Sequence, residues 1–185
     1  MLYHAIPWFL VLAVPVAAVT LVIARRLHRD LPARERRWQL LLEVALALCL
    51  LGIACVTLLP TVGGGTGLEQ GLQLRPVASI IAQLTSALDA SVAFRIVGLN
   101  IVLFVPLGFL LRVRPLGWLA TVAVVVATSL TIETAQAVLP LGRTANVDDV
   151  LLNTLGGVLG AASGSLLLRR RGRPQPVEVA RRPDA

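Results

Sequence analysis

Five apolar runs, each close to the twenty residues a helix needs to cross a hydrocarbon core of about 30 Å, constrain this chain more than any other feature. They cover roughly Ala5–Ala24, Leu40–Leu59, Ile96–Leu111, Leu116–Leu139 and Val150–Leu168. In lipid every backbone N–H and C=O must find a partner inside the protein, which helices provide within each segment. The expected fold is therefore all-α: a polytopic membrane helix bundle of about five transmembrane helices. Composition agrees, since 56% of the 185 residues are hydrophobic, 15% are charged and the mean hydropathy is +0.81, too apolar for an ordinary soluble domain. The first run has no basic residue before it and six arginines after it, the reverse of a signal peptide, and reads as a retained helix. The third run is short. The stretch before it, residues 75–94, alternates apolar and polar positions at helical spacing and reads as one interfacial amphipathic helix, with a partly re-entrant segment as the alternative.

The formal charge of +7 comes from arginine, for the chain has no lysine. Fourteen of the seventeen arginines fall in three places: residues 25–37, the pair Arg112 and Arg114, and the tail from Arg169. With five spans these three places share one face. Because basic short loops stay in the cytoplasm, the expected topology in a bacterial cytoplasmic membrane is N-terminus outside and C-terminus inside. The arginines track the topology instead of forming a groove-reading element, so nucleic acid is not an expected partner. Residues 1–39 are read as the first helix and its basic loop, 40–168 as the main membrane domain and 169–185 as a basic disordered tail able to meet anionic head groups.

Against this background, the stretch "TIETAQAVLPLGRTANVDDVLLN" at 131–153 is anomalous. Glu133 and Gln136 lie roughly 10 and 6 Å below the outer end of the fourth span, Asp148, Asp149 and Asn153 open the fifth, and Arg143 stands in the turn between. Asn100 lies near the outer end of the third. Glu133 and Gln136 share one helix face, as do Asp149 and Asn153. An ionisable side chain in a span usually pairs or meets a water-filled cavity, and Arg143 and Asn100 are the partners expected for Glu133. Each residue also has a plainer reading. Asn100, Gln136 and Asn153 suit hydrogen-bond glue between helices, Asn146 suits the N-cap of the fifth helix, and Asp148 suits either that helix's N-terminal dipole or the bundle interior. Glu43, at the other face, reads as a residue that snorkels to the interface. Gly156, Gly160 and Gly164 form a small-xxx-small stripe, and Pro106 with Gly108 mark a kink and a close approach in the third span. Cys49 and Cys55, six residues apart on one helix, are too distant for a disulfide and read as packing residues. No HExxH, CxxC, Walker or GxGxxG pattern occurs, so no metal site built on His or Cys is expected, and no cofactor.

The segments "LNIVLFVPLGFLL" at 99–111, "SLTIETAQAVLPLGR" at 129–143 and "ANVDDVLLNTLGGVLG" at 145–160, with weaker matches in "VTLLP" at 56–60 and "LRPVASI" at 74–80, resemble the VanZ-like family of small bacterial membrane proteins in order, spacing and residue type. Three positions depart from its pattern: Asn146 where an acidic residue is common, Ala145 where a bulky one is, and Arg95 where a small or polar one is. The family's namesake is linked to low-level teicoplanin resistance, so the resemblance implies a cell-envelope role and supplies no reaction.

Three functions remain open at this level. The first is a binding or accessory protein in which Asn100, Glu133, Gln136, Arg143, Asp148, Asp149 and Asn153 line an outer-leaflet pocket for the head group of membrane lipids, a lipid-linked cell-wall intermediate or a lipoglycopeptide. The second is an intramembrane hydrolase or transferase with Glu133 as acid or base, and Asp149, with Asn153, able to hold a cation such as Mg²⁺. In that reading Ser129 and Thr131 are ordinary helix residues and supply no nucleophile. Transport ranks last because the inner halves of the spans are apolar.

Overall fold

The computed structural model describes residues 2–59, 90–139, 141 and 145–171, and every regular element among them is an α-helix. Helix α1 is Leu2–Leu27, α2 Ala33–Leu58, α3 Ala90–Arg112, α4 Trp118–Val138 and α5 Val147–Arg171. Four of these are long and apolar enough to cross a membrane: Ala5–Leu27, Ala33–Leu58, Trp118–Val138 and Val147–Arg170. The apolar part of α3, Val97–Arg112, is shorter. The chain is thus a multi-pass membrane protein. Its exposed large apolar side chains, such as Val14 on α1, Leu119 and Val138 on α4, are the surface that lipid covers.

Several helices run beyond the apolar run that marks them. α2 begins at Ala33, so Arg34, Arg36 and Arg37 lie in its first turns and not in a loop. α5 continues through Arg171, so the first three residues of the expected disordered tail are helical. Arginine is a good helix former, and basic residues suit a helix C-terminus, whose dipole is negative. α3 starts at Ala90, six residues before its apolar run, and takes in the end of the expected surface helix. Residues 75–89 of that helix, Arg143, and the tail from 172 lie outside the described residues.

Contacts between residues of known position give the helix directions. Asn100 meets Asp149 and Arg112 meets Ser165, so α3 and α5 are parallel. Ser129 meets Asn153 and Glu133 meets Asn146, so α4 runs antiparallel to α5. Gln136 meets Thr57, and Arg114 meets Glu43, which sets α2 parallel to α4 and antiparallel to α3. One end of the bundle therefore carries the turns at 28–32 and 113–117 with the end of α5, and the opposite end carries the turn between α4 and α5.

The most extensive helix pair is α3 with α5, and glycine makes it possible. A Cβ on Gly108 would strike the carbonyl oxygen of Gly157, one on Gly156 that of Ile101, and one on Gly160 that of Val105. The stripe of small residues read from the sequence is a seam of backbone against backbone, the device membrane helices use where lipid leaves no hydrophobic drive for association. Around it Ile53 of α2, Phe104, Leu107 and Leu111 of α3, and Val125 and Ile132 of α4 form the buried apolar cluster. α1 packs on α2 and turns most of its surface outward.

Candidate functional site

The buried side of α4 carries Thr121, Val125, Ser129, Ile132, Glu133 and Gln136. Ser129, Glu133 and Gln136 are spaced i, i+4 and i+7, one stripe of a 3.6-residue helix, and each reaches a different neighbour. The amide nitrogen of Gln136 donates to the carbonyl of Thr57 at 2.9 Å, satisfying one of the last backbone acceptors of α2. Glu133, 8% exposed, accepts the backbone N–H of Asn146 at 2.7 Å through Oε2. Ser129, fully buried, accepts from the amide of Asn153 at 2.9 Å.

Asn146 is the N-cap of α5: its Oδ1 accepts the N–H of Asp148 at 3.0 Å. The cap is in turn held by Glu133, so a carboxyl on one helix fixes the start of the next. Because Asn146 does the capping, the side chain of Asp148 is not needed for it, and at 1% exposure it lies within the protein. Asp149 points to α3, where its Oδ1 accepts from the amide of Asn100 at 2.8 Å. Asn153 is 3% exposed and faces α4.

The structure thus brings Asn100, Glu133, Gln136, Asp148, Asp149 and Asn153 to one end of the bundle, and Arg143 falls outside the described residues. It differs from the sequence reading in its pairings. Asn100, expected beside Glu133, gives its amide to Asp149, because the parallel α3–α5 seam sets those two at one level. Glu133 holds a backbone N–H across the turn. Ser129 is no ordinary helix residue. Thr128, Thr131 and Thr134 return their hydroxyls to the carbonyl four residues back, whereas Ser129 serves a neighbouring helix. Its spacing from Glu133 and Gln136 was the signal that could have found it. Thr57 takes part only through its carbonyl, for which a sequence carries no sign. Asp149 and Asn153, candidate ligands of one cation, are directed at two different helices.

The opposite end has its own polar group. The Glu43 carboxylate forms an ion pair with Nη2 of Arg114 at 3.1 Å and stands 3.7 Å from Nε2 of His28, so it ties α2 to the α3–α4 turn and to the α1–α2 turn instead of simply snorkelling. Arg112, two residues before Arg114, donates from Nε to the hydroxyl of Ser165 at 2.8 Å and from Nη1 to the carbonyl of Leu116 at 3.1 Å.

Fold and site together define a class: a small multi-pass helical membrane protein with a buried cluster of carboxyl and amide side chains at the end away from its basic turns. The family described as VanZ/LLP1 matches residues 44–168, and the chain belongs to that family. A stretch of 63 residues is 41% identical to Protein VanZ of Enterococcus faecium. It covers 33% of this chain and 38% of that relative, so the similarity spans well under half the relative's length. No solved structure matches the chain.

Proposed function

We propose that the polar cluster binds the head group of an amphiphilic or lipid-linked ligand of the bacterial cell envelope in the outer leaflet of the cytoplasmic membrane. The observation that carries this reading is the convergence of amide and carboxyl groups from α3, α4 and α5 at the end opposite the basic turns. A carboxyl or amide in a membrane span is costly to retain, and function is the default account of such a residue. Arg143, which follows α4 in the sequence, is assigned to the same proposed site, where it would supply a cation for phosphate or carboxylate. Candidate ligands are cell-wall lipid intermediates and lipoglycopeptides, and the family resemblance extends the proposal to teicoplanin tolerance.

Glu133→Gln and Asp149→Asn test it with little structural cost, since each replacement keeps an oxygen that can accept the observed N–H. Loss of one charge-assisted hydrogen bond, worth roughly 1.5 to 3 kcal/mol, predicts retention of teicoplanin or of a lipid-linked peptidoglycan intermediate about tenfold or more lower. Teicoplanin susceptibility of cells expressing these variants at wild-type levels should rise in parallel. Unchanged retention and unchanged susceptibility in both variants would end the proposal.

The orientation belongs to the same reading: basic turns in the cytoplasm, N-terminus and α4–α5 turn outside. In a variant with Cys49 and Cys55 replaced by Ala, a new cysteine at Leu141 should react with an impermeant maleimide on intact cells, and one at Asp30 only after lysis. The opposite pattern would invert the topology.

A further inference from the structure

At the basic end, a groove of about 670 Å³ lies between the last turn of α3, the first of α4 and the end of α5. Arg112 and Arg169 line it with Ser165 and Trp118, and Leu166 and Leu168 line it as well. We infer that this groove binds an anionic phospholipid of the adjoining leaflet, its phosphate between the two guanidinium groups and an acyl chain along the leucines.

The central residue of the groove is Arg112. Its side chain is half-buried, and its two described hydrogen bonds go to neutral groups, the Ser165 hydroxyl and the Leu116 carbonyl. A guanidinium has five N–H donors in a rigid fork, so these bonds fix its plane and leave donors for the groove. Arg114 has Glu43 for a counter-charge, but among the described residues no carboxylate pairs with Arg112 and none lines the groove. A fixed, half-buried cation at a membrane interface is favoured by an anion, and bidentate contact with phosphate suits arginine above lysine. Arg169 adds a second, exposed guanidinium on the same groove.

Trp118, 40% exposed, is the residue type that sits at head-group level in membrane proteins. Leu166, 52% exposed, provides an apolar wall for a chain entering from that level. Basic pockets between transmembrane helices are a recurrent means of holding acidic lipids. The inference stands apart from the proposal for the opposite end of the bundle and does not depend on it.

The test uses the full-length protein purified in nanodiscs containing equal amounts of phosphatidylglycerol and phosphatidylcholine, with lipid retained through detergent exchange measured by mass spectrometry. Wild-type protein should retain phosphatidylglycerol in preference, and 10 mM inorganic phosphate should not displace it. A contribution per arginine of the size seen for basic residues at acidic membranes predicts about fivefold lower retention in Arg169→Gln. Arg112→Gln should lose at least as much. Arg170→Gln, an exposed neighbour that does not line the groove, should retain wild-type levels. Because Arg169 is exposed, its variant remains informative even where Arg112→Gln fails to fold. Equal retention of the two lipids, displacement by free phosphate, or an equal loss in Arg170→Gln and Arg169→Gln would each overturn the inference, the last by showing diffuse attraction instead of a site.

Discussion

Gly160→Ala should destabilise the bundle severely, although in an isolated helix the same change gains about 1 kcal/mol. A Cβ at this position overlaps the carbonyl oxygen of Val105 and comes within 2.8 Å of the amide nitrogen of Phe109. Both are backbone atoms, so no rotamer change relieves the overlap and the helices must separate. Overpacking costs about 1 to 3 kcal/mol and occasionally more, and this site belongs at the top of that range or beyond it. Separation would also stretch the Asn100–Asp149 and Arg112–Ser165 contacts across the same pair. Gly98→Ala is the matched control on α3, since among the described residues nothing beyond its own helix backbone lies within 4 Å of its added methyl, and it should be neutral or slightly stabilising. Thermal unfolding in detergent checks both, and a Gly160→Ala protein as stable as wild type would refute the seam.

The second large effect concerns Glu43. Its contacts with Arg114 and His28 join three segments far apart in sequence, and the Arg114 and Glu43 side chains are 18% and 29% exposed. Exposed ion pairs contribute below about 1 kcal/mol, while breaking a fully buried pair costs about 3 to 5, so a coupling of roughly 1 to 2 kcal/mol fits this partial exposure. A double-mutant cycle of Glu43→Gln and Arg114→Gln should return that coupling. Either single variant should cost more than the double, because each alone leaves a charge without its counterpart. Strictly additive single effects would show that the pair contributes nothing.

Much of the architecture was legible because the hydrophobic period of a membrane helix needs no tertiary information. The five apolar runs all became helices, and the stripe of Gly156, Gly160 and Gly164 marked the closest contact in the bundle. Helix ends were less legible, and α2 and α3 begin several residues before their apolar runs. Hydropathy reports where hydrocarbon ends, whereas the backbone ladder continues through polar residues as long as nothing interrupts it. Polar residues were legible as a set and their pairings were not. Asn100 can serve Glu133 or Asp149 equally well by chemistry, and the choice is made by the register of α3 on α5. Ser129 was missed because a helical serine can satisfy itself on its own backbone, as the neighbouring threonines do. Glu43 was undervalued because a carboxylate near a span end looks the same whether it faces water or an arginine from another turn.

Two helices whose backbones touch from Ile101 to Phe109, about two turns, bend and travel as one beam. Sliding α3 along α5 would drive carbonyl groups into one another, and pins at both ends resist shear. α4 has no such constraint. It meets the beam through side chains, which exchange rotamers without moving a backbone. The compliant direction of the bundle is therefore a tilt of α4, which would release Ser129 from Asn153 and Glu133 from the cap of α5 while Asn100 and Asp149 stay clasped. A ligand head group entering the cluster would meet a floor that does not move and one wall that can.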